Sequence, residues 1–276
     1  MYKAERKQDI IALLQQQGFT ATQDLARELG VSATTIYRYL TELEEDGLIR
    51  KEYGGVSLRP AATGGIDFDY RWRRQEHPLE KQAIGQRAAA LVEAGDTVMI
   101  DSSTTGIALA QALAQAPLQD VTLITNSARI VLVLQDKPEF RLICTGGTYL
   151  ARHDTLVGSP AEEFLAGITA SKCFISAYGV TPQAATDSDP ADVRVKRLML
   201  ARSRTKILLA DHSKFGRTTT FTVIAPAELD LVVTDTLTAE AALAPFRELG
   251  LTVLTAETTQ PGLIPTDGGR RVLETD

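Results

Sequence analysis

The sequence predicts an α/β protein in which a small helical unit with a β-hairpin precedes a larger domain built on a parallel β-sheet. Three observations predict this fold class. Apolar residues recur with helical spacing in three segments before residue 47. Two short β-like runs flank Gly54 and Gly55. From Thr97 onward, apolar β-rich runs alternate with helical patterns, as in a parallel sheet that helices cover on both faces.

The first two helices follow from periodicity and from their end signals. Ile10, Leu13 and Leu14 keep helical spacing, and Gly18 is expected to end that helix. Thr22 is expected to cap the second helix, whose inner face holds Leu25 and Leu29, and Gly30 is expected to stop it.

The third helix and the hairpin complete the N-terminal unit. Ser32 is expected to cap the third helix. The stretch ELGVS between the second and third helices is so short that the two must cross steeply, as in a helix-turn-helix. After Gly47, the run LIRKEYGGVSL predicts two short strands.

The larger domain begins after a change in composition. Residues 59–70 hold Pro, Gly and Ala without periodicity and predict a linker, and residues 71–95 predict one long helix that ends in Gly95. The expected strands are TVMI (97–100), VTLIT (121–125), RLIC (141–144), CFIS (173–176), KILLA (206–210), LVVT (231–234) and LTVL (251–254). The expected organisation is an N-terminal domain at 1–58, a linker at 59–75, an α/β domain at 76–257 and a loose tail at 258–276.

Composition excludes several kinds of protein. The 276 residues are 44% hydrophobic and carry a net charge of −6, which is ordinary for a soluble globular protein. Cys144 and Cys173 lie far apart inside apolar runs, where core packing is expected, so a disulfide scaffold and a cysteine-rich zinc site are excluded. His77, His153 and His212 show no ligand spacing, so no metal site and no cofactor are expected.

The sequence shows no sign of membrane insertion or export. No apolar run approaches the roughly 18 residues that a membrane span needs, and the polar start MYKAERKQDI does not resemble a signal peptide. A cytoplasmic location without a membrane partner is therefore expected.

The third helix has two contrasting faces. On a helical wheel, Ile36, Leu40 and Leu43 form an inner stripe. The opposite face and its flanks hold Thr34, Thr35, Tyr37, Arg38 and Thr41. An arginine can donate two hydrogen bonds to guanine, and a threonine can meet a base edge or a thymine methyl group. This face therefore suits the major groove of DNA.

Charge places limits on that interpretation. The C-terminal half of the third helix carries Glu42, Glu44, Glu45 and Asp46, which phosphates repel, so its N-terminal turns are expected to enter the groove. Arg50, Lys51 and Tyr53 are placed to grip the DNA backbone from the hairpin. Residues 1–59 hold eight Lys/Arg and nine Asp/Glu, so charge alone does not favour DNA, and a protein-docking module stays open.

The N-terminal segment as a whole resembles the winged helix-turn-helix of the DeoR family of bacterial transcriptional regulators. The similarity runs through ERKQDIIALLQQQGFTATQDLARELGVSATTIYRYLTELEEDGLIRKEYGGV, including Arg6, Ser32 and the wing glycines. It implies double-stranded operator DNA as a partner and adds Arg6 and Ser32 to the expected contacts. Tyr37-Arg38-Tyr39 departs from the family pattern of two arginines and an acid, which implies fewer phosphate contacts and an altered operator.

Short turns with small or polar residues follow five of the predicted strands. These turns begin at Asp101, Asn126, Thr145, Ala177 and Asp211. In a parallel sheet these turns share the carboxyl edge, where open α/β sheets bind ligands. DSSTTG opens a helix and can hold a phosphate, and Lys196 and Lys214 add positive charge, so a phosphorylated sugar or polyol is indicated. Capping hydroxyls and a solvated Lys196 are the plainer alternatives.

The same resemblance extends through residues 76–236. EKQAIGQRAA, DSSTTGIALAQAL, TLITNS, TGGTY, LVGSPAEEFL, ADHSKFG and LDLVVTDT look like the DeoR family's C-terminal sensor, which is similar in fold to ribose-5-phosphate isomerase and binds phosphorylated sugars. The departures are Ser103 in the phosphate loop and Tyr178 where the family often has Asp. The implied effector-binding residues are Asp101, Ser102, Ser103, Thr104, Thr105, Thr125, Asn126, Ser127, Gly146, Gly147, Tyr178, Lys196 and Lys214.

The expected function is a repressor that a phosphorylated sugar or polyol releases from DNA, and not an enzyme. Because one head buries too little surface for specific affinity, a dimer or tetramer is expected. A sugar-phosphate isomerase with an N-terminal docking extension is the alternative, since isomerisation needs a positioned acid or base. Tyr178 is a poor base near neutral pH. The remaining candidates for the catalytic acid or base are Asp101, Asp187, Asp192 and Asp211. A docking scaffold, the third possibility, leaves the polar edge unexplained.

Overall fold

The computed structural model describes residues 3–46, 48–52, 54–58 and 70–258. The N-terminal part of this chain, residues 3–58, is called the head, and residues 70–258 are called the body. Gly47, Tyr53, residues 59–69 of the predicted linker and residues 259–276 of the predicted loose tail (258–276) lie outside the described residues. The head contains α1 (Lys3–Gln17), β1 (Thr20–Ala21), α2 (Thr22–Glu28), α3 (Ala33–Glu45), β2 (Ile49–Glu52) and β3 (Gly55–Leu58).

The three helices and the hairpin of the head are confirmed. Gly18 and Gly30 follow α1 and α2 in left-handed conformations, as helix-terminating glycines do. A short strand that the sequence did not predict, β1, pairs with β3 and makes a three-stranded sheet. The expectation that Thr22 caps α2 is wrong: Ala21 occupies the cap position, and Thr22 is a buried first residue of the helix.

A single core holds the head together. Ile36, Leu40 and Leu43 of α3 are fully buried, and they pack with Ile10 of α1 and Leu25 of α2. Burying a side chain of this size stabilises a fold by about 1.5–3 kcal/mol. The inner stripe that periodicity predicts is therefore the stripe that anchors α3.

The long helix predicted for residues 71–95 is two helices. The structure has α4 (Tyr70–Gln75), which begins inside the predicted linker, and α5 (Pro78–Ala89). His77 separates them in a left-handed conformation, with φ 46° and ψ 51°. Proline disfavours helical geometry in the residue before it, so Pro78 ends one helix and starts the next.

The body is built on a seven-stranded sheet in the order β15-β14-β12-β9-β4-β5-β6. Every neighbouring pair is parallel. The seven predicted strands are all present, and most are longer than predicted. Their bounds are β4 (Thr97–Ile100), β5 (Val121–Thr125), β6 (Phe140–Cys144), β9 (Ala170–Ser176), β12 (Ser203–Leu209), β14 (Leu231–Asp235) and β15 (Thr252–Ala256).

Helices cover both faces of this sheet, and small antiparallel sheets lie beside it. The helices are α6 (Thr104–Gln115), α7 (Ala128–Leu134), α8 (Ser159–Ala166), α9 (Pro190–Ala201) and α10 (Glu240–Glu248). The small sheets, which periodicity did not reveal, are β7 (Thr148–Leu150) with β8 (Thr155–Val157), and β10 (Gly179–Val180) with β11 (Ala185–Asp187) and β13 (Phe221–Ile224). Two apolar cores form, one on each side of the sheet.

The two cysteines differ in environment. Cys173 is fully buried in β9, as predicted, and burial raises the pKa of its thiol. The expectation that Cys144 packs in the core is wrong, because it ends the outermost strand β6 and is exposed. Within the described residues, none of the helices has the length and apolar character to cross a membrane.

Candidate functional sites

The outer face of α3 presents the side chains expected to meet DNA. Thr34, Tyr37, Arg38 and Thr41, here called the reading face, are all exposed, and Thr35 is half-buried beside them. The Arg38 guanidinium lies 5.3 Å from the centre of the Tyr39 ring, which is itself buried. Ser32 caps α3 by accepting a hydrogen bond from the backbone N–H of Thr35 at 3.2 Å. The predicted orientation of α3 is therefore confirmed.

Two lysines of the head pair with three of the four acids in the C-terminal half of α3. Lys7 Nζ of α1 lies 2.9 Å from the Glu42 carboxylate and 3.4 Å from that of Asp46, and its side chain is largely buried. Lys51 Nζ of β2 lies 2.9 Å from Glu44. Periodicity places Lys7 on the inner face of α1, but no role was predicted for it from the sequence.

Several residues that were predicted to contact DNA make interactions with other residues of the head. Arg6 donates a hydrogen bond from Nη1 to the Leu29 carbonyl at 2.6 Å, so it ties α1 to the end of α2. Arg50 pairs with Glu52 at 2.9 Å, and hydrogen bonds from Ser57 and Arg50 lower the pKa of Glu52. Lys51 also donates to Thr41 Oγ1 at 3.0 Å. These residues have partners on the protein in the absence of DNA.

Asp101 organises the loop that follows β4. It is fully buried, and its Oδ1 accepts hydrogen bonds from the Ser103 N–H at 3.2 Å and from Ser103 Oγ at 2.5 Å. Its Oδ2 accepts from the Ser176 N–H at 3.0 Å. Ser103 in turn caps α6 by accepting from the Gly106 N–H. Asp101 and Ser103 therefore shape the loop, while the first N–H groups of α6, at Thr104 and Thr105, have no partner within their helix.

Lys196 lies at the centre of a buried ionic cluster. Its Nζ is 2.5 Å from Asp187, 3.1 Å from Asp192 and 3.4 Å from Asp101, and it donates to the Ser176 carbonyl at 3.0 Å. Burial opposes the charge on Lys196, but the three carboxylates outweigh it and raise the pKa of the lysine. Burial raises the pKa of Asp192, whereas Lys196 keeps that of Asp187 low despite burial. The solvated alternative for Lys196 is wrong.

The loop after β5 contributes a second set of buried polar groups. Thr125, Asn126 and Ser127 are fully buried. Asn126 donates from Nδ2 to Thr155 Oγ1 at 2.8 Å, and Thr155 bonds Asp192 at 3.2 Å, which connects this loop to the Lys196 cluster. Asn126 Oδ1 is buried and has no hydrogen-bond partner among the described residues. A buried acceptor of this kind is a place for a ligand donor.

Tyr178, Lys81 and Lys214 gather around Asp211 on the same edge. Lys214 Nζ lies 5.3 Å from the centre of the buried Tyr178 ring and 3.8 Å from the Glu76 carboxylate. Burial favours the neutral form of Asp211, but Lys214 and Lys81 outweigh it and lower its pKa. Asp211 Oδ2 has no hydrogen-bond partner among the described residues. No role was predicted for Lys81 from the sequence.

Lys81 is buried on α5 and closes the end of α4. Its Nζ donates to the carbonyls of Arg73 at 2.5 Å and Glu76 at 2.6 Å. Burial lowers the pKa of Lys81 to about 8. Lys81 therefore joins the segment that follows the predicted linker to the charged edge of the body.

The loop after β6 differs from the others because it is open. Gly146 and Gly147 are exposed and have φ values of 71° and 112°. A Cβ on Gly147 would lie 2.5 Å from the Val157 carbonyl oxygen, so only glycine fits there. The loop joins its neighbour through the Thr145 N–H, which donates to the Thr125 carbonyl at 3.0 Å. It therefore borders the buried groups rather than adding to them.

The expectation that the three histidines are scattered is wrong for two of them. The rings of His77 and His212 meet edge to face, with their centres 4.6 Å apart. Burial lowers the pKa of His77. His153 lies elsewhere, 3.8 Å from Asp189. The fold thus joins two histidines that are far apart in the chain, which local spacing does not show.

Two family models match the chain. The model described as the DeoR-like helix-turn-helix domain matches residues 6–60, and the model described as the DeoR C terminal sensor domain matches residues 76–236. The first match covers the head, and the second includes the strands β4, β5, β6, β9, β12 and β14.

Named proteins are similar over nearly the whole chain. The HTH-type transcriptional regulator GolR of Listeria innocua is 34% identical over 258 residues, which is 93% of this chain and 100% of that protein. The glycerol-3-phosphate regulon repressor of Escherichia coli is 30% identical over 236 residues, 85% of this chain and 92% of that protein. Ribose 5-phosphate isomerase A from Methanocaldococcus jannaschii aligns structurally with 50% of this chain and 53% of its own, at 15% identity and a TM-score of 0.36.

Proposed function

Because this chain belongs to the DeoR family of DNA-binding transcriptional regulators, we propose that it represses a sugar or polyol catabolic operon and that a phosphorylated sugar or polyol releases it from DNA. The observation that carries the proposal is the contrast between α3 and the sheet edge. The reading face is exposed and offers donors for base edges, whereas the sheet edge encloses buried polar groups suited to a small ligand.

The proposed DNA contact uses the N-terminal turns of α3. Arg38 and the threonines of the reading face would meet base edges in the major groove, and Lys51 would reach the backbone. Lys7 places one positive charge between Glu42 and Asp46 and so reduces the repulsion that these carboxylates exert on phosphates. This pairing would lessen the cost of bringing the acidic half of α3 near DNA.

The proposed effector site lies between the loops after β4, β5, β9 and β12. The first N–H groups of α6 would hold the phosphate, since a helix N-terminus favours anions. Asn126 Oδ1, which is buried without a partner among the described residues, would accept a hydrogen bond from a ligand hydroxyl. Lys214, beside Tyr178, would balance the charge of the phosphate.

The regulator is proposed to act as a dimer or tetramer, because a single head buries too little surface for specific operator affinity. The body would supply the self-association, and the effector would favour one spacing of the heads. Moving operator occupancy from about 99:1 to 1:99 requires roughly 5.5 kcal/mol of differential affinity.

The test begins with ligands and DNA that the protein itself selects. Native mass spectrometry of the purified protein identifies co-purified metabolites, and selection from a random duplex library supplies the operator. Phosphorylated sugars and polyols are then added to the complex beside their unphosphorylated counterparts. We expect release by a phosphorylated compound alone; release by none of them, or equally by both members of a pair, contradicts the proposal.

The isomerase alternative makes a different prediction. Three of its four candidate bases, Asp101, Asp187 and Asp192, already surround Lys196. We propose that the chain is not an enzyme, and we expect no turnover of pentose phosphates at micromolar protein. Measurable turnover that Asp211→Asn removes would favour the isomerase.

A further inference from the structure

A cluster of three metal-ligating side chains lies beside the proposed effector site, on residues to which the effector proposal assigns no role. His77 and Glu80 come from the start of α5, and His212 comes from the short 3₁₀ turn His212–Lys214 after β12. Their ligand atoms all lie within 4.8 Å of one another. Two imidazoles and one carboxylate form a ligand set that zinc uses together with a water molecule.

His212 is held in the manner of a metal ligand. The fully buried Asp235, at the end of β14, lies 3.2 Å from His212 Nδ1 through Oδ1 and accepts the His212 backbone N–H through Oδ2 at 2.7 Å. A carboxylate on one ring nitrogen fixes the imidazole and leaves the other nitrogen, Nε2, for a metal. This arrangement is independent of the proximity of the two rings.

The separation of the rings also suits a shared ion. Two imidazoles on one tetrahedral ion, with metal–nitrogen bonds of about 2.1 Å, have ring centres roughly 5 Å apart, and the observed distance is 4.6 Å. Drawing the three ligand atoms together to roughly 3.4 Å requires shifts of about 1 Å. His77 and Glu80 are half-buried, and the His212 side chain is 27% exposed, so a dissolved ion can reach them.

The surrounding charge includes carboxylates that favour a cation. Glu76 and Asp211 act on His77 electrostatically in addition to Glu80. Asp211 precedes His212 in the chain, and its Oδ2 is buried without a hydrogen-bond partner among the described residues. Lys81 and Lys214 oppose a cation from the same region, but Lys214 is already paired with Glu76 at 3.8 Å.

We propose that His77, Glu80 and His212 bind one divalent transition-metal ion, with zinc as the occupant and water as the fourth ligand. The ion would join the start of α5 to the turn after β12. Because Lys81 ties α4 to α5, the ion would also fix α4 relative to the turn after β12. This proposal does not depend on the effector or on DNA.

The three histidines of the chain provide both the test and its control. Full-length protein is stripped with a chelator and titrated with Co²⁺, which reports tetrahedral coordination through its visible spectrum, and then with Zn²⁺ by calorimetry. His77→Asn keeps a residue that tolerates the left-handed backbone, and His212→Asn keeps a donor for Asp235. His153→Asn is the matched control.

We expect one Zn²⁺ per chain for the wild type and for His153→Asn, with affinity at least about 100-fold weaker for His77→Asn and His212→Asn. Glu80→Gln should weaken binding roughly 10-fold, and it supplies the result if an asparagine variant fails to fold, as judged by circular dichroism without metal. Absence of stoichiometric binding by the wild type, equal binding by all variants, or a thiolate charge-transfer band from the exposed Cys144 would overturn the proposal.

Discussion

Arg38 of the head and the buried lysines of the body are placed in opposite ways. Arg38 stands on the surface of α3 and contacts only the neighbouring Tyr39 ring among the groups described. Lys196 is buried among three carboxylates, and Lys81 is buried against two carbonyls. The head therefore leaves Arg38 free of the fold, although Arg6, Arg50 and Lys51 have partners within it, whereas the body builds Lys196 and Lys81 into its own stability. A substitution of Arg38 should change binding alone, and one of Lys196 should change both binding and stability.

The largest effect is expected from Lys196→Met. The substitution leaves Asp101, Asp187 and Asp192 buried without their cation, and removing one partner of a buried ion pair costs about 3–5 kcal/mol. Urea unfolding measures the change. Arg87→Met, at an exposed position on α5, is the control and should stay within about 0.5 kcal/mol. Similar stability for both variants would show that the buried Lys196 cluster does not stabilise the body.

Thr104→Glu should disable the response to the effector. The added carboxylate would stand at the start of α6, where the phosphate is proposed to bind, and the repulsion should weaken effector affinity by roughly 100-fold, or about 2.7 kcal/mol. Calorimetry with the identified effector measures the loss, and operator binding should persist. Thr252→Glu, on an exposed residue that begins β15, should respond normally. An unaltered response of Thr104→Glu would show that the phosphate site is misplaced.

Arg38→Ala should weaken operator binding and leave the body unaffected. Loss of a bidentate contact to guanine costs about 1–3 kcal/mol for each head. Fluorescence anisotropy with the selected operator measures the change, and calorimetry should give an unchanged effector affinity. Arg27→Ala removes an exposed arginine of α2 that pairs with Asp24 and should bind DNA as the wild type does. Equal loss of both activities in Arg38→Ala would contradict the division between head and body.

Lys81 gives the stability of the body a pH dependence in the alkaline range. Its pKa is about 8 in the folded chain and about 10.4 when unfolded, so the unfolded chain binds more protons between these values and folding becomes more favourable as pH rises. We expect the stability of the wild type to increase by roughly 1–2 kcal/mol relative to Lys81→Met between pH 8 and pH 9.5. Urea unfolding at several pH values tests this, and a constant difference would argue against it.

The smallest effect concerns the pair between Lys51 and Glu44. Each side chain is about one-third exposed, and such pairs contribute at most about 0.5–1 kcal/mol. Glu44→Gln should therefore barely change stability, but it should free Lys51 for phosphate and improve operator affinity. Glu45→Gln removes the same charge from an exposed neighbour and should improve affinity less. Equal affinities for the two variants would show that Lys51 is not held back by Glu44.

The elements that carry a clear apolar pattern were predicted. The seven strands of the large sheet are apolar runs with a core on each side of the sheet, and the inner stripe of α3 repeats at helical spacing. The same signal marks two buried lysines. Lys7 lies two helical turns before the buried Leu14 of α1, and Lys81 lies one turn before the buried Ile84 of α5. A lysine on an apolar stripe predicts a buried cation with partners elsewhere.

Contacts between distant segments could not be predicted in this way. The meeting of His77 with His212 and the surrounding of Lys196 by Asp101 and Asp187 depend on which strands become neighbours. Alternation of strands and helices predicts that a parallel sheet forms, but it leaves the strand order open. The small antiparallel sheets were missed for another reason: most of their strands have only two or three residues, which is too short to show a period.

The strand order has a consequence for how the chain is made. Val98 of β4 pairs with Lys172 of β9, 74 residues later, and β9 pairs in turn with β12, which lies still later in the chain. In the head, the most distant paired residues of the sheet, Thr20 and Val56, are 36 positions apart. Folding that depends on distant contacts is slow and must await synthesis of both partners. On the ribosome, the head can thus fold early, while the centre of the body assembles only after most of the chain has emerged.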